Sequence, residues 1–539
     1  MIFPRERNFW GWGLTTVTTP EALVDLAVSY LSVRFQKELP KPRVCPALGG
    51  LRMLAPRVPV PPEFAPFATT DRFDRAAHTY GKAFRDVVRA LSGDFSNAPD
   101  MVLYPETEAD VLRILRVASA RRMAVIPFGG GSSVVSGIEP TSDMGRNFNG
   151  VVSLDLCRLG RVLEVDHTSR TARIQAGAYG PAIENQLQKH LMTLRHFPQS
   201  FEFSTLGGWI ATRAAGHFAT LHTHIDDFVQ SVRVMTPMGA VQTGFVPCDG
   251  AGPQQLRLFL GSEGILGVIT EAWMRIQNRP RYRAHCTVHF ANYDAGIEAC
   301  RVVSQSGLFP ANARYIDREE AMLMGAGDGV NHVLLLGFES HAFPQKDPLE
   351  QALSICEQRS GLPQKRIVVD QDDPQTAGSR DQSAQRWKES FFRAPYLRDQ
   401  LIRRGVLCET FETCTTWTRF FDLDRVVRTE VNQILRVLGV PGMVTCRLTH
   451  LYPDGPVPYY TVLGAPAPEL LLEAWDTVKE RVNGILCNAS APITHHHAVG
   501  RTHAGAYARQ GDPLVQTALK RVKEYLDPMG ILNPGVLLR

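Results

Sequence analysis

The chain has 539 residues, 21% of them charged and 44% hydrophobic, an ordinary globular composition on a length that implies two or three cores. A net charge of +4 is too small on this length to argue for a nucleic-acid surface, and no run of about 18 apolar residues is present to cross a bilayer. Ten cysteines lie scattered between Cys45 and Cys487 without a C-x-x-C pair, the N-terminus has no apolar leader and the final "VLLR" is no peroxisomal address, so reduced thiols and a cytoplasmic location are expected, with at most contact at a membrane surface.

Taken in chain order, "EALVDLAVSYLSVRF" (21–35) predicts a helix in which Leu23, Leu26 and Tyr30 form one stripe, either core-facing or in amphipathic contact with a membrane. From Pro99 the pattern runs strand, helix, strand: "DMVLYP", "TEADVLRILRVASARR", "MAVIPF". Thr107 and Asp110 cap the helix, and Val111, Leu112, Leu115 and Ala118 make its apolar face. "VVSLDL" follows, then a hairpin of "RVLEVD" and "TARIQAG" around "HTSR", then a helix with Ile183, Leu187 and Leu191 at helical spacing. This α+β unit extends to about Gln277. "NRPRYR" reads as a linker into a second unit that alternates strands such as "NHVLLLGF" with long helices such as "DLDRVVRTEVNQILRVLG". The polar, aperiodic stretch "VDQDDPQTAGSRDQSAQ" (369–385) reads as a mobile loop and a candidate lid.

"PFGGGSSVVSG" (127–137) leaves the buried strand "MAVIPF" through three consecutive glycines. Without Cβ atoms, the N–H groups of such a turn can converge on an anion, of which a diphosphate is the usual case; a sharp turn that binds nothing is the other reading. A Rossmann fingerprint would need glycine at Val134 and a Walker turn a lysine after its last glycine, so neither applies. Gly207, Gly208 and Gly216 in "PQSFEFSTLGGWIATRAAG", and the glycines of "GSEGILGVIT", allow further close approaches of backbone. Glycine-rich segments spread this far apart suggest a long cofactor touched at several points, and FAD has that length.

Together, "PFGGGSS", "FEFSTLGGWIATRAAG" and "GSEGILGVITEA" resemble the FAD-binding domain of the vanillyl-alcohol oxidase (PCMH-type) flavoproteins. Within them the chain is most similar to the alkyldihydroxyacetonephosphate synthase family, through "RNFWGWG", "DRFDRAAHTYG", "APYLRD", "GVLCETFETCTTW", "TCRLTHLY", "THHHAVG" and "VKEYLDPMGILNPGVLL". The resemblance implies an α+β fold: a two-subdomain PCMH-type FAD-binding domain plus an α+β substrate (cap) domain with an antiparallel sheet and flanking helices. The divisions expected are a helical segment 1–95, the FAD domain 96–278, the cap 279–480 and a C-terminal segment 481–539 that carries the histidines back to the FAD domain.

By the same resemblance, Pro127, Phe128, Gly129, Gly130, Gly131, Ser132 and Ser133 cradle the diphosphate. Gln199, Ser200, Phe201, Glu202, Phe203, Ser204 and Thr205 line the isoalloxazine and ribityl parts, as do Thr212, Arg213, Ala214 and Ala215, with Glu263, Gly264, Ile265, Leu266, Gly267, Val268 and Ile269. Many relatives tether flavin through a histidine after the glycines; Ser132 stands there, so FAD is expected without a covalent link.

"THHHAVG" read as extended chain puts His495 and His497 on one face and His496 on the other; metal ligation and a surface cluster without function are the rival readings. A related dehydrogenase group carries a metal-binding "HxGDGNxH" strand, but "THLYPDGPVPYY" has Pro458 where the second histidine is expected, and no metal is assigned. Tyr459 occupies the position of the synthases' catalytic tyrosine, Arg398 that of their substrate arginine, and Arg314 that of another arginine on which activity depends. A guanidinium fork suits a phosphate monoester. The implied reaction exchanges the acyl chain of 1-acyl-dihydroxyacetone phosphate for a long-chain fatty alcohol through a bond between flavin N5 and C1, without net redox. Tyr459 would move the C1 proton, with His495, His496 and His497 shaping the site; a homodimer and transient membrane contact are also implied. Ala498 in place of the usual glycine, Arg501 in place of lysine, and prolines 456 and 458, which would remove ladder hydrogen bonds, depart from the family pattern. The alternative is an FAD-dependent dehydrogenase or oxidase of a D-2-hydroxy acid or alcohol.

Overall fold

The computed structural model of the chain describes residues 6–538 except 219, 221, 222, 245, 248 and 371–381. Among the described residues, sheets of four, five and eight strands with their helices give an α+β fold. The four-stranded sheet has the order Ala68–Thr69, Met101–Leu103, Gly150–Asp155, Met123–Phe128 and is parallel across its last three strands. Those three are near-continuous apolar runs because both faces are covered. The helix Glu108–Arg121 covers one face. Thr107 Oγ1 accepts from Asp110 N (3.1 Å) while the Asp110 carboxylate accepts from Thr107 N (3.0 Å), so both ends of a capping box are closed. Its buried side chains are Val111, Ile114, Leu115 and Ala118, and full burial of each larger one stabilises by roughly 1.5–3 kcal/mol. Met123–Phe128 would end the sheet with open hydrogen-bonding groups, but the C-terminal tail pairs with it: Val125 N donates to Ile531 O (2.8 Å) and Asn533 N to Val125 O (2.9 Å).

The five-stranded antiparallel sheet contains the expected hairpin, Val162–Asp166 with Thr171–Gln175, followed in spatial order by Val268–Arg275, Val229–Thr236 and Gly239–Gln242. The largest sheet is antiparallel and places Leu407–Glu412, Pro456–Gly464, Gly442–Leu451, Asn312–Ile316, His332–Ser340 and Tyr282–Phe290 side by side. Alternation along it sorts side chains by face. Cys446, Tyr460 and Val462 enter a hydrophobic core, whereas Thr445, Arg447, Thr449, Tyr459 and Thr461 line a cavity on the other side.

Two expectations change here, and a third falls mostly on residues that are not described. The prolines at 456 and 458 do not break their strand, which pairs on both sides; a register shift between Leu448 and His450 leaves Thr449 as a one-residue bulge beside Pro458. In the helix Glu21–Phe35 the stripe Leu23, Leu26, Tyr30 is not the buried one, because Leu26 is 67% exposed and Val24, Ala27, Leu31 and Phe35 face the core. The stretch 369–385 lies mostly outside the described residues, its ends belonging to the strand Ile367–Asp370 and the helix Gln382–Arg403.

Candidate active site

An internal cavity of about 380 Å³ lies where the glycine turn, the open face of the large sheet and the C-terminal histidines meet. All of 127–133 line it, Ser132 included. A Cβ on Gly130 would fall on the carbonyl oxygen of Phe203, and one on Gly129 on Thr205 Oγ1; Gly131 has φ +69°. Only glycine allows this approach. The N–H groups of Gly130, Gly131, Ser132 and Ser133 have no acceptor among the described residues, which is the state of an anion nest. Gln199, Ser200, Ser204, Thr205, Thr212, Ala214, Ala215, Glu263, Gly264, Gly267, Val268 and Ile269 also line the cavity. This extended lining, with a diphosphate-sized nest at one end, fits FAD.

Six residues expected to contact the cofactor lie elsewhere. Phe201 packs against Phe197 and Trp209, Glu202 is exposed, and Phe203 backs the nest through its carbonyl. Arg213 turns to Asp226 (Nε to Oδ2 2.9 Å), and Ile265 and Leu266 are core side chains. Glu263 lines the cavity with φ +48°, and its carboxylate accepts from the N–H groups of Val499 (2.9 Å) and Gly500 (2.8 Å), tying the histidine segment to the flavin half. Burial pushes that carboxyl up to about 7, against the two amides.

At the other end Tyr459, Arg398, Arg314, His496 and His497 converge, joined by Arg447, His450 and Glu320, which sequence reasoning missed. Arg447 faces Tyr459 across the strand pair, its guanidinium 3.9 Å from the ring centroid, and pairs with buried Glu320. Burial pushes the Tyr459 phenol up while Arg447 opposes. Arg398 is held by Asp399 (2.9 Å), whose other oxygen accepts from Trp12 N (2.6 Å). Arg314 is 1% exposed and has no carboxylate partner among the described residues. Its Nη2 donates to His217 O (3.3 Å), Phe391 lies under it at 4.7 Å, and its Nε and Nη1 are buried without partners. Burial with Arg447 nearby pulls it down to about 9. A guanidinium left in this state is a vacant anion ligand.

The histidine segment is not extended, and the expected alternation fails. Glu412, 1% exposed at the end of the strand Leu407–Glu412, accepts from the N–H groups of His495, His496 (3.1 Å) and His497 (2.7 Å) and from Thr494 Oγ1 (2.7 Å). Wrapping the chain around one carboxylate turns His496 and His497 both into the cavity and His495 away, toward His224 (Nε2 to Nε2 3.0 Å) and Tyr452 (3.1 Å). Ala498 lines the cavity at φ +73°, a left-handed conformation that a side chain disfavours and the usual glycine would adopt freely. Arg501 donates to Ser136 O and Pro534 O (both 2.7 Å). Donor atoms of His450, His495 and His496 lie within 4.8 Å of one another, as do those of Glu412, His496 and His497. His450 and His495 have both ring nitrogens hydrogen-bonded to protein. Glu412 itself sits in "GVLCETFETCTTW", where nothing local distinguishes it from a surface carboxylate; only its burial does.

A family model described as an FAD binding domain matches residues 99–244, and one described as the C-terminal domain of FAD linked oxidases matches residues 279–537. The alkyldihydroxyacetonephosphate synthase of Trypanosoma brucei brucei is 30% identical over 488 residues, 87% of this chain and 78% of that protein. That of Dictyostelium discoideum is 30% identical over 484 residues, with the same coverages of 87% and 78%. A solved alkyldihydroxyacetonephosphate synthase structure superimposes with a TM-score of 0.79 at 25% identity, covering 99% of each chain. The chain is an FAD-dependent enzyme and belongs to the alkyldihydroxyacetonephosphate synthase family.

Proposed function

We propose that this enzyme exchanges the acyl chain of 1-acyl-dihydroxyacetone phosphate for a long-chain fatty alcohol, giving 1-alkyl-dihydroxyacetone phosphate and a fatty acid. The observation that carries the reading is a single cavity whose lining combines cationic and apolar groups. Arg314, Arg398, Arg447, Tyr459, His496 and His497 line it together with Ala27, Leu323, Met324, Leu397, Leu401 and Leu463. A phosphorylated ketone suits the first set, an alkyl chain the second.

Arg314 and Arg398 would hold the phosphate, placing C1 against Tyr459, where the adjacent C2 ketone acidifies the C1 hydrogen. Residues 127–133 would hold FAD, without a covalent link because Ser132 stands in place of a histidine, and the bound flavin would supply an electrophilic ring with no external electron acceptor needed. His496 and His497 stand beside Tyr459, with ring centroids 6.1 and 5.4 Å away, where a proton can be received from the incoming alcohol. No described helix is long and apolar enough to cross a membrane. The helix Glu21–Phe35 supports transient membrane contact instead: Ala27 lines the cavity while Leu26 and Val33 are 67% and 80% exposed.

The test is incubation of purified protein with labelled hexadecanol and acyl-dihydroxyacetone phosphate. A labelled ether and an absorbance spectrum that remains oxidised are expected; lasting flavin bleaching by a D-2-hydroxy acid, with no ether formed, would establish the dehydrogenase or oxidase reading in its place. Arg398→Ala and Arg314→Met should raise KM strongly with FAD retained.

A further inference from the structure

The exchange just proposed is not proton-neutral. The ester C1–O bond breaks and the fatty acid departs as a carboxylate, a C1–O bond forms to the alcohol oxygen, and the alcohol's proton is left over. One proton per turnover must therefore leave a buried cavity, with no electrons gained or lost.

We infer that His496, His495 and His224 form a proton relay that carries this proton out of the cavity. The connections are through alternate ring nitrogens. His496 lines the cavity and meets His495 through Nδ1 to Nδ1 at 3.0 Å, leaving its Nε2 available to the alcohol. His495 meets His224 through the opposite nitrogen, Nε2 to Nε2 at 3.0 Å. His224 then carries the proton at Nδ1, a buried nitrogen without a partner among the described residues and the last site of the path, from which release requires water to reach it. A ring that accepts at one nitrogen while releasing from the other passes one proton and is left as the opposite tautomer, so each ring returns to its first tautomer, by turning over or by proton exchange, before the next turnover.

His495 and His224 do not line the cavity and each residue is partly exposed, so the path leads from the cavity toward the surface and ends at a covered nitrogen. Tyr452, which bonds His495 Nε2 at 3.1 Å and Thr223 at 2.8 Å, fixes the central ring, and Glu412 fixes its backbone. The charged and titratable groups facing the relay are Arg213, Asp226, Asp227 and Glu412 with His450 and His497, and Arg314 and Arg447 on the cavity side. Burial, reinforced by neighbouring imidazoles and arginines, keeps His495 and His496 neutral near pH 7, and burial does the same for His224. A permanently charged ring would block the relay.

The inference rests on the exchange reaction, and the test separates the two. His224 is a positioning residue outside the cavity, so His224→Gln in the holoenzyme should lower kcat about tenfold or more with KM and FAD content unchanged. Free imidazole should restore the rate, and the solvent deuterium isotope effect should rise. An indicator dye should record one proton released per ether formed by the wild type. Wild-type kcat in His224→Gln, a loss that imidazole does not rescue, or one equivalent of a divalent metal in the purified holoenzyme would each overturn the relay. Failure of the wild type to make any ether would overturn the exchange reaction instead. In that case the downfield imidazole N–H resonances of ¹⁵N-histidine holoenzyme decide the relay, which predicts that one disappears in His224→Gln; an unchanged spectrum sinks it.

Discussion

Replacing Glu412 by glutamine is the sharpest probe of how the histidine segment is held. The carboxylate has four donors, three of them consecutive main-chain N–H groups, and is almost wholly buried. Its Oε1 serves His496 N, His497 N and Thr494 Oγ1, so the amide oxygen of a glutamine will take that side and its NH2 will oppose His495 N. One charge-assisted bond is then lost outright, a buried N–H is left unpaired, and three bonds fall from charged to neutral strength. At about 1.5–3 kcal/mol for a bond to a charged group and about 1 kcal/mol for a neutral one, the expected loss is roughly 3–9 kcal/mol, and more for Glu412→Ala. Urea denaturation followed by tryptophan fluorescence reads the stability, and steady-state turnover reads the geometry. His496 and His497 should lose their place beside Tyr459, so kcat should fall at least about tenfold with FAD still bound. An unfolding midpoint and a kcat both equal to wild type in Glu412→Gln would show that the carboxylate does not organise this segment.

Other outcomes follow from single positions. Ala498→Gly should stabilise by about 0.5–1 kcal/mol in the same urea assay, since relief of a side chain at φ +73° outweighs the greater unfolded-state entropy of glycine. Gly130→Ala should yield protein purified without flavin, read from absorbance near 450 nm, because its methyl group overlaps the Phe203 carbonyl; normal FAD content would contradict the cradle. His224, His450, His495, His496, His497 and His503 are all pulled below the ordinary imidazole range by burial. Below about pH 6.5 the unfolded chain takes up protons that these folded imidazoles do not, so their contribution is fully present above that pH and lost as pH falls, at about 1.4 kcal/mol per unit for each. Urea midpoints at pH 7.5, 6.5 and 5.5 should fall steeply, and less steeply in His224→Gln; a flat profile would refute the assignment.

Much of the flavin half was legible because its signals are local. A buried apolar strand, a Thr107–Asp110 capping box and glycines where backbone must approach backbone are each written within a few residues. That Arg314 and Arg398 belong to the site was legible from family position, and both line the cavity. What sequence reading could not reach depends on contacts made across hundreds of residues. The facing of the three histidines was misjudged because strand alternation holds only where a ladder keeps the chain extended, and here Glu412, more than 80 residues earlier, gathers their N–H groups onto one carboxylate. Arg213 belongs to Asp226 and not to the cofactor, and Arg314 is the unpaired guanidinium, because burial and pairing are properties of the assembled sheets. The sequence by itself determined which elements form and which chemical groups the chain can offer. Only the tertiary structure decided which of those groups are left unpaired beside one another in one cavity, since hydrogen bonds and charges are satisfied or orphaned by neighbours that folding supplies.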